Sequence, residues 1–238
     1  MSKTVAVVQS NYVPWKGYFD LIRAADEFVL YDDVQYTRRD WRNRNRIKTA
    51  DGPQWLTIPV EVKGKYTQKI RDTRVSDRVW AASHWTRIRH AYAKAPHFRD
   101  TAELFGELYA QAAGLAFLSE INERFLRAVC RVLGVTTRIT SSADYDVSNP
   151  DPSGRLLDVC TQAGATEYLS GPAAKAYLDR SRFARAGVGV RYMDYTGYPE
   201  YPQLHGPFEH AVSILDLLFM TGPRAADYLN RSPVVTAA

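Results

Sequence analysis

The stretch from Lys3 to Lys48 limits what this chain can fold into more than any other part of it. Valines alternate with other apolar residues in Thr4-Val5-Ala6-Val7-Val8, and a short apolar run bounded by polar residues reads as a strand buried on both faces. Asn11, Pro14 and Gly17 break that run. Tyr18, Phe19, Leu21, Ile22 and Ala25 then recur at helical spacing, and Glu27-Phe28-Val29-Leu30-Tyr31 is the next strand. Strand, polar loop, helix and strand make a βαβ unit. Ligands of open parallel sheets bind outside the carboxyl ends of the strands, and two unusual clusters leave those ends here. One runs from Gln9 to Lys16, the other from Asp32 to Arg46.

Arg39 to Val75 reads as an antiparallel excursion from that sheet. Gln54 to Val60 is a strand introduced by the hairpin signal Asp51-Gly52, and Ile70 to Val75 is a further short strand. From Asp77 to Leu133 the periodicity turns helical. Trp80, His84, Trp85, Ile88, Ala91 and Tyr92 mark one helix, ended near Pro96; Leu104, Leu108 and Ala112 mark a second; Phe117, Ile121, Phe125, Val129 and Leu133 mark a third, stopped by Gly134.

Alternation of strands and helices then resumes: strands at 137–141, 167–169 and 188–193, and helices at 155–163 and 173–178. An ordered loop rich in Tyr, Pro and Gly covers 197–206, a helix covers 213–220, and the residues from Val234 are expected to fray. The fold class this predicts is α/β, a mostly parallel Rossmann-like sheet with an antiparallel excursion and a helical insertion at about 77–133. No repeat, low-complexity tract or linker divides residues 1–238 into separate domains.

No apolar run reaches the roughly 18 residues of a membrane span, and the N-terminus lacks the apolar core of a signal peptide, so a cytoplasmic protein without membrane association is expected. Cys130 and Cys160 fall within helical apolar patterns and read as buried thiols, which sets a cysteine nucleophile aside. The net charge of +5 favours anionic partners: nucleotides, nucleotide sugars, phosphopantetheine groups or nucleic acid.

The charge is concentrated. Gln35 to Lys48 carries five arginines and a lysine in fourteen residues. Arg and Asn alternate from Arg42 to Arg46, so in an extended strand Arg42, Arg44 and Arg46 share a face, and three guanidinium forks side by side suit phosphate or carboxylate. A solvated strand face, or arginines paired with nearby aspartates, is the plainer alternative. Asp32 and Asp33 are adjacent at a strand end and cannot share one face, so one is expected to be catalytic or substrate-binding and the other to pair with arginine.

Ser170-Gly171-Pro172 lies between a strand and a helix, where exposed amides could hold an anion or simply close a tight turn. Ser170 lacks a Gly-x-Ser-x-Gly setting. His205, Glu209 and His210 match no zinc spacing, and His84, His90 and His97 are six to seven residues apart, so neither a metal nor another cofactor is expected.

Several stretches together resemble the WbqC-like family. They are Val8-Gln9 with Tyr12, Pro14 and Gly17-Tyr18-Phe19; Asp26-Glu27-Phe28-Val29 with Tyr31-Asp32-Asp33-Val34; and Trp41-Arg42-Asn43-Arg44-Asn45-Arg46-Ile47. Ala91-Tyr92 with Lys94-Ala95-Pro96, the run from Gly164 to Gly171, and Ser213 to Leu218 extend the resemblance over nearly the whole chain. The resemblance implies a biosynthetic transferase or accessory enzyme of bacterial O-antigen, polysaccharide or natural-product assembly, with aminoacyl or acyl transfer onto an amino sugar or another amine. The family's loop commonly has Gln-Pro followed by two aromatics, where this chain has Gln9-Ser10-Asn11-Tyr12, which implies an altered substrate pocket.

Acyl transfer from a thioester to an amine needs a site for the donor's phosphate, a carboxylate to receive the amine proton, and donors facing the oxyanion. Arg42, Arg44 and Arg46 are candidates for the first, Asp32 or Asp33 for the second, Gln9 or Asn43 for the third. Tyr12, Trp15, Lys16, Arg38, Trp41, Ser170 and Gly171 are the further candidate substrate contacts, and the tyrosines from Tyr192 to Tyr201 could shape an acceptor pocket. The partner is then an anionic small molecule or a phosphopantetheinyl carrier protein. Nucleotidyl or adenylyl transfer is the alternative, although the His-x-Gly-His signature and a P-loop are missing. Nucleic-acid binding is a third: Tyr36, Trp41 and Trp55 lie among the cations, but the basic segment is shorter than the stripe of a duplex binder. A non-enzymatic scaffold is the last.

Overall fold

The computed structural model describes residues 2–229 and, beyond them, the backbone of 234–236. Five strands run parallel: β1 (Thr4–Val8), β2 (Glu27–Leu30), β5 (Arg138–Ser141), β6 (Glu167–Ser170) and β7 (Gly189–Met193). Between β2 and β5 the chain makes a separate antiparallel hairpin of β3 (Arg44–Thr49) and β4 (Gly52–Thr57). The main sheet has the order β5-β2-β1-β6-β7, and β8 (Val234–Thr236) adds to β7 in antiparallel register.

The parallel strands therefore sit in the spatial order third, second, first, fourth, fifth along the chain. The chain winds one way from β1 and the other way from β6, so the β1/β6 boundary is the topological switch point of a Rossmann-like sheet.

The alternation in β1 explains why both faces of the sheet are covered. Ala6, Phe28, Leu30 and Leu169 point to one side, into a core built with α1 (Lys16–Arg23), α2 (Trp80–Tyr92), α3 (Phe98–Ala112), α4 (Leu118–Val132) and α7 (Ile214–Thr221). Val5, Val7, Val29, Tyr31 and Tyr168 point to the other, against α5 (Pro152–Gln162) and α6 (Arg180–Arg185). Each buried Val, Leu, Ile or Phe stabilises this arrangement by about 1.5–3 kcal/mol of transfer free energy. The hairpin lies against the first core through Ile47 and Leu56, with Ala50 and Asp51 as its turn and Gly52 in the left-handed region at φ +92°.

Three expectations are corrected. Ile70 to Val75 is not a strand. Residues 70–72 curl into a turn of 3₁₀ helix because their amides find the 32–34 loop: Ile70 N–H donates to Val34 O at 2.9 Å and Arg71 N–H to Asp32 O at 3.1 Å. The helix expected at 173–178 is a 3₁₀ turn at Pro172–Ala176, and α6, only six residues long, follows it. Residues 234–236 pair with β7 rather than fray; 237 and 238 lie outside the described residues. Among the described residues no helix is long and apolar enough to cross a membrane.

Candidate functional site

The loop from Gln9 to Trp15, between β1 and α1, is held from three directions. Just after β2, the Asp32 carboxylate accepts the Ser10 N–H at 2.9 Å. Below it, Asn122 on α4 donates to the Ser10 hydroxyl at 3.0 Å and to Arg42 O at 2.9 Å. Arg42 donates through Nη1 to the Gln9 carbonyl at 3.2 Å and to the Asn11 side-chain oxygen at 2.5 Å. Asn45 donates to the Tyr12 and Val13 carbonyls at 3.2 and 3.0 Å, where Val13 has a φ of 35°. The strained residue is thus fixed by side-chain bonds on its flanking carbonyls.

Two cavities open on either side of this loop. The first, of about 360 Å³, lies at the switch point where β1 and β6 part, and Gln9, Ser170 and Gly171 all line it. Apolar and aromatic groups make most of its wall, including Tyr31, Leu156 and Tyr177. Burial raises the Tyr31 phenol above its ordinary pKa, and the positive charge of Arg155 opposes that rise, so these two groups are near enough to interact. Arg155, in the second turn of α5, is the only charged side chain that lines this cavity among the described residues, and its buried Nε has no hydrogen-bond partner. The Ser170 hydroxyl accepts from Tyr168 at 3.2 Å and keeps its own proton free to donate.

The second cavity, of about 230 Å³, is walled by Pro14, Trp15, Trp41 and Ala211, with Asn11, Asn45 and His210 as its polar lining. Trp15 is braced edge-on by Tyr195 and Tyr198 at centroid distances of 5.1 and 5.6 Å. Trp41 lies 5.4 Å from Trp55, and both stay 39% exposed, so the cleft opens onto an aromatic surface. Asn45 is saturated by its bonds to the loop and to Arg46 N–H, whereas Asn11 has committed only its oxygen, to Arg42. The backbone around His210 is pinned: Ala211 O accepts from Arg46 Nε at 3.0 Å and Ala211 N–H donates to Glu209 at 2.8 Å.

The arginine segment does not form the expected row of three guanidinium groups. Only Arg44 and Arg46 belong to β3; Arg42 precedes it and turns inward to the loop. Arg44 is bound to the Arg39 carbonyl and lies over Trp55 at 4.1 Å, and Arg46 is bound to Ala211 O with Glu209 4.0 Å away. Asn43 is buried and donates to Ile58 O at 2.8 Å. Arg38 lies apart, donating to Val62 O at 3.1 Å. Each of these side chains instead donates to a backbone carbonyl that lies outside the strand ladders.

The two aspartates have different partners, and Asp33 is the one that pairs with an arginine. Asp33 takes Lys69 Nζ at 3.0 Å and Arg71 Nη1 at 2.7 Å, not the arginines of the basic run. Asp32 is buried, which raises its carboxyl pKa against the opposing effect of the Ser10 amide and Arg42. Neither carboxylate lines either cavity.

Two candidate contacts belong to the core instead. Tyr12 is fully buried, with its hydroxyl 2.9 Å from His84 Nδ1 and 2.6 Å from the Tyr109 hydroxyl. His84 Nε2 faces the Thr57 carbonyl at 3.2 Å, so Nε2 carries the hydrogen, Nδ1 accepts from Tyr12 and Tyr109 donates to Tyr12. Burial lowers the His84 pKa to about 4, in keeping with a neutral ring. Lys16 is also buried: it donates to Pro199 O at 2.8 Å beneath the rings of Tyr198, Tyr201 and Phe208, and burial lowers its pKa to about 8. Burial pushes the Cys130 thiol up to about 12 and raises that of Cys160 as well.

Sequence reasoning passed over Arg155, Tyr31 and Tyr177. The signal available for Arg155 was its place near the start of the helix that follows β5. Among the described residues no three of His, Cys, Asp or Glu come together as metal ligands.

Comparison with known proteins finds a match to the model of the WbqC-like protein family over residues 9–228. The chain is also similar to "Uncharacterized protein Rv1507c" of Mycobacterium tuberculosis (strain ATCC 25618 / H37Rv), 51% identical over 228 residues that span 96% of this chain and 98% of the relative.

Proposed function

The chain belongs to the WbqC-like protein family, and from that premise we propose that it is a biosynthetic transferase that moves an aminoacyl or acyl group from a thioester donor to an amine. The donor occupies the switch-point cavity and the amine acceptor the tryptophan-walled cleft. The setting is polysaccharide or natural-product assembly.

The observation that carries this reading is the wall the two cavities share. Gln9 lines one and Asn11 the other, and two residues of extended chain span at most about 7 Å, so groups held on either side can meet at the loop. Bringing two reactants together in this way supplies much of the advantage of a transferase. The acceptor nitrogen adds to the thioester carbonyl, the C–N bond forms, the C–S bond breaks, and the proton lost by nitrogen ends on the departing sulfur.

In this reading Gln9, which lines the cavity, bonds the carbonyl oxygen as it gains charge, while Asn43 already donates to Ile58 O. Direct attack by the amine fits the residues present. Both thiols are buried with raised pKa values, and Ser170 is bonded to a tyrosine rather than to a base.

The test is incubation with carrier protein loaded with aminoacyl and acyl thioesters and a panel of amines, read by mass spectrometry. N-acyl product that depends on the protein and falls at least about tenfold in Gln9→Ala is expected. Thioester loss no faster than without protein, across the panel, would sink the reading. A second reading, nucleotidyl transfer, draws on the strand order alone, which nucleotide-binding sheets share. Pyrophosphate release from ATP would favour it.

A further inference from the structure

The switch-point cavity is lined by one cation, Arg155, that makes no ion pair among the described residues. Its lining combines one charged side chain, Arg155, with no carboxylate among the described residues. The nearest carboxylates along the chain have other hydrogen-bond partners, and none forms an ion pair with Arg155. Asp151, at the N-cap of α5, accepts Gly154 N–H at 2.8 Å and is bound by Arg182. Asp158, one turn on, accepts Ser148 N–H at 3.1 Å and Asn149 N–H at 2.9 Å. Asp33 carries Lys69 and Arg71. The Arg155 Nε is buried without a hydrogen-bond partner, and among the described residues no carboxylate pairs with the guanidinium, whose terminal nitrogens are left for a ligand of the cavity.

The other polar groups of the cavity are donors as well. The Ser170 hydroxyl keeps a proton to give, and Tyr31, Tyr177 and the Gln9 amide bring further donor hydrogens. Around them Pro150, Pro152 and Leu156 supply apolar surface. We propose that this cavity binds the single phosphoryl group of a phosphate ester, its oxygens on Arg155 and the hydroxyl donors, and the adjoining apolar part of the ester against Tyr177, Pro150 and Leu156.

One guanidinium matches one phosphoryl group through a two-pronged bond. It does not match the charge of a triphosphate, which sites of that class meet with several cations or a metal. The assignment deepens the transferase reading by naming the anionic end of the donor. It rests on that reading for its role and on Arg155 for its binding.

Phenyl phosphate is the probe, titrated calorimetrically into the full-length protein beside inorganic phosphate, phenol and ATP. Phenyl phosphate is expected to bind more tightly than inorganic phosphate or phenol and no more weakly than ATP, with affinity falling as salt rises. Arg155→Gln is expected to weaken it at least about tenfold, and Arg155→Lys to recover part of the loss. Tyr177→Ala, at a position 59% exposed, keeps the test open if the arginine variants misfold, and a several-fold loss is expected.

Equal affinity in wild type and folded Arg155→Gln would overturn the proposal, as would no heat of binding up to about 10 mM probe. ATP binding far more tightly than phenyl phosphate would overturn the restriction to one phosphoryl group. Acyl transfer at the wild-type rate in Arg155→Gln removes the assignment and leaves the transferase. Arg155-dependent phenyl phosphate binding without any transfer leaves the assignment and removes the transferase.

Discussion

Arg42 holds Asn11: its Nη1 lies 2.5 Å from the Asn11 side-chain oxygen, and the same nitrogen reaches the main-chain carbonyls of Gln9 and Ser10 at 3.2 and 3.4 Å. One guanidinium therefore closes the loop that separates the two cavities. Arg42→Ala leaves three acceptors without this donor, and hydrogen bonds to a charged group contribute about 1.5–3 kcal/mol. Urea denaturation is expected to show a loss of about 3 kcal/mol, with Arg42→Lys in between because an ammonium on a single stem cannot span all three.

Gly17 has a Cβ position only 2.4 Å from the Trp15 ring, and that ring is braced by Tyr195 and Tyr198. Gly→Ala within a helix usually gains about 1 kcal/mol. Here the sign is expected to reverse, with a loss of about 1–2 kcal/mol from overpacking and a change in tryptophan emission as Trp15 moves. A gain in stability with unchanged emission would show that the ring yields freely.

His84 sets a pH dependence. Its folded pKa of about 4 lies below the ordinary histidine value of 6.5, so between these values the unfolded chain binds more protons than the folded one. The stability conferred by the neutral ring is complete above about pH 6.5 and is lost progressively as pH falls toward 4. At about 1.4 kcal/mol per pKa unit this amounts to about 3 kcal/mol. Denaturation of wild type and His84→Gln at pH 7.5 and 4.5 checks it: the variant's stability difference from wild type should shrink at the lower pH.

Asp216, fully buried on α7, accepts from the hydroxyls of Tyr92 and Tyr201 and from Gln203 Nε2, each at 2.8 Å. The network ties the 197–212 loop, and with it His210 and Ala211, to the core. Removing one partner of a buried charged network costs about 3–5 kcal/mol. Asp216→Ala is expected to lose stability on that scale and to open the loop to limited proteolysis; protease resistance equal to wild type would show that other contacts hold it.

The alternation of Val5, Ala6 and Val7 and the helical spacing after Gly17 were enough to place the βαβ unit, because burial on two faces leaves little choice of register. The positions of Gln9, Ser170 and Gly171 in one cavity follow from that topology, since β1 and β6 are neighbours that end side by side. What alternation could not reveal was the use of each charge. Arg42, Arg44 and Arg46 look alike in sequence, yet their fates depend on carbonyls brought near by the loop, by Arg39 and by Ala211. Arg155 looks like a solvated helix residue until Asp151 and Asp158 are seen to be engaged elsewhere. Ile70 to Val75 had the composition of a strand, but its amides met a loop before they met an edge.

The Ser213 hydroxyl bonds the Val13 carbonyl across 200 residues of chain, and Ser213 N–H bonds Arg46 O. The tryptophan-walled cleft is thereby completed by a segment synthesised 200 residues after the loop it closes. Contacts so distant in sequence form slowly, and during synthesis the exposed aromatic walls wait without their closing segment. A nascent chain halted before α7 can hold the β1–β2 pairing but not the second cleft, so the two halves of the site mature at different times.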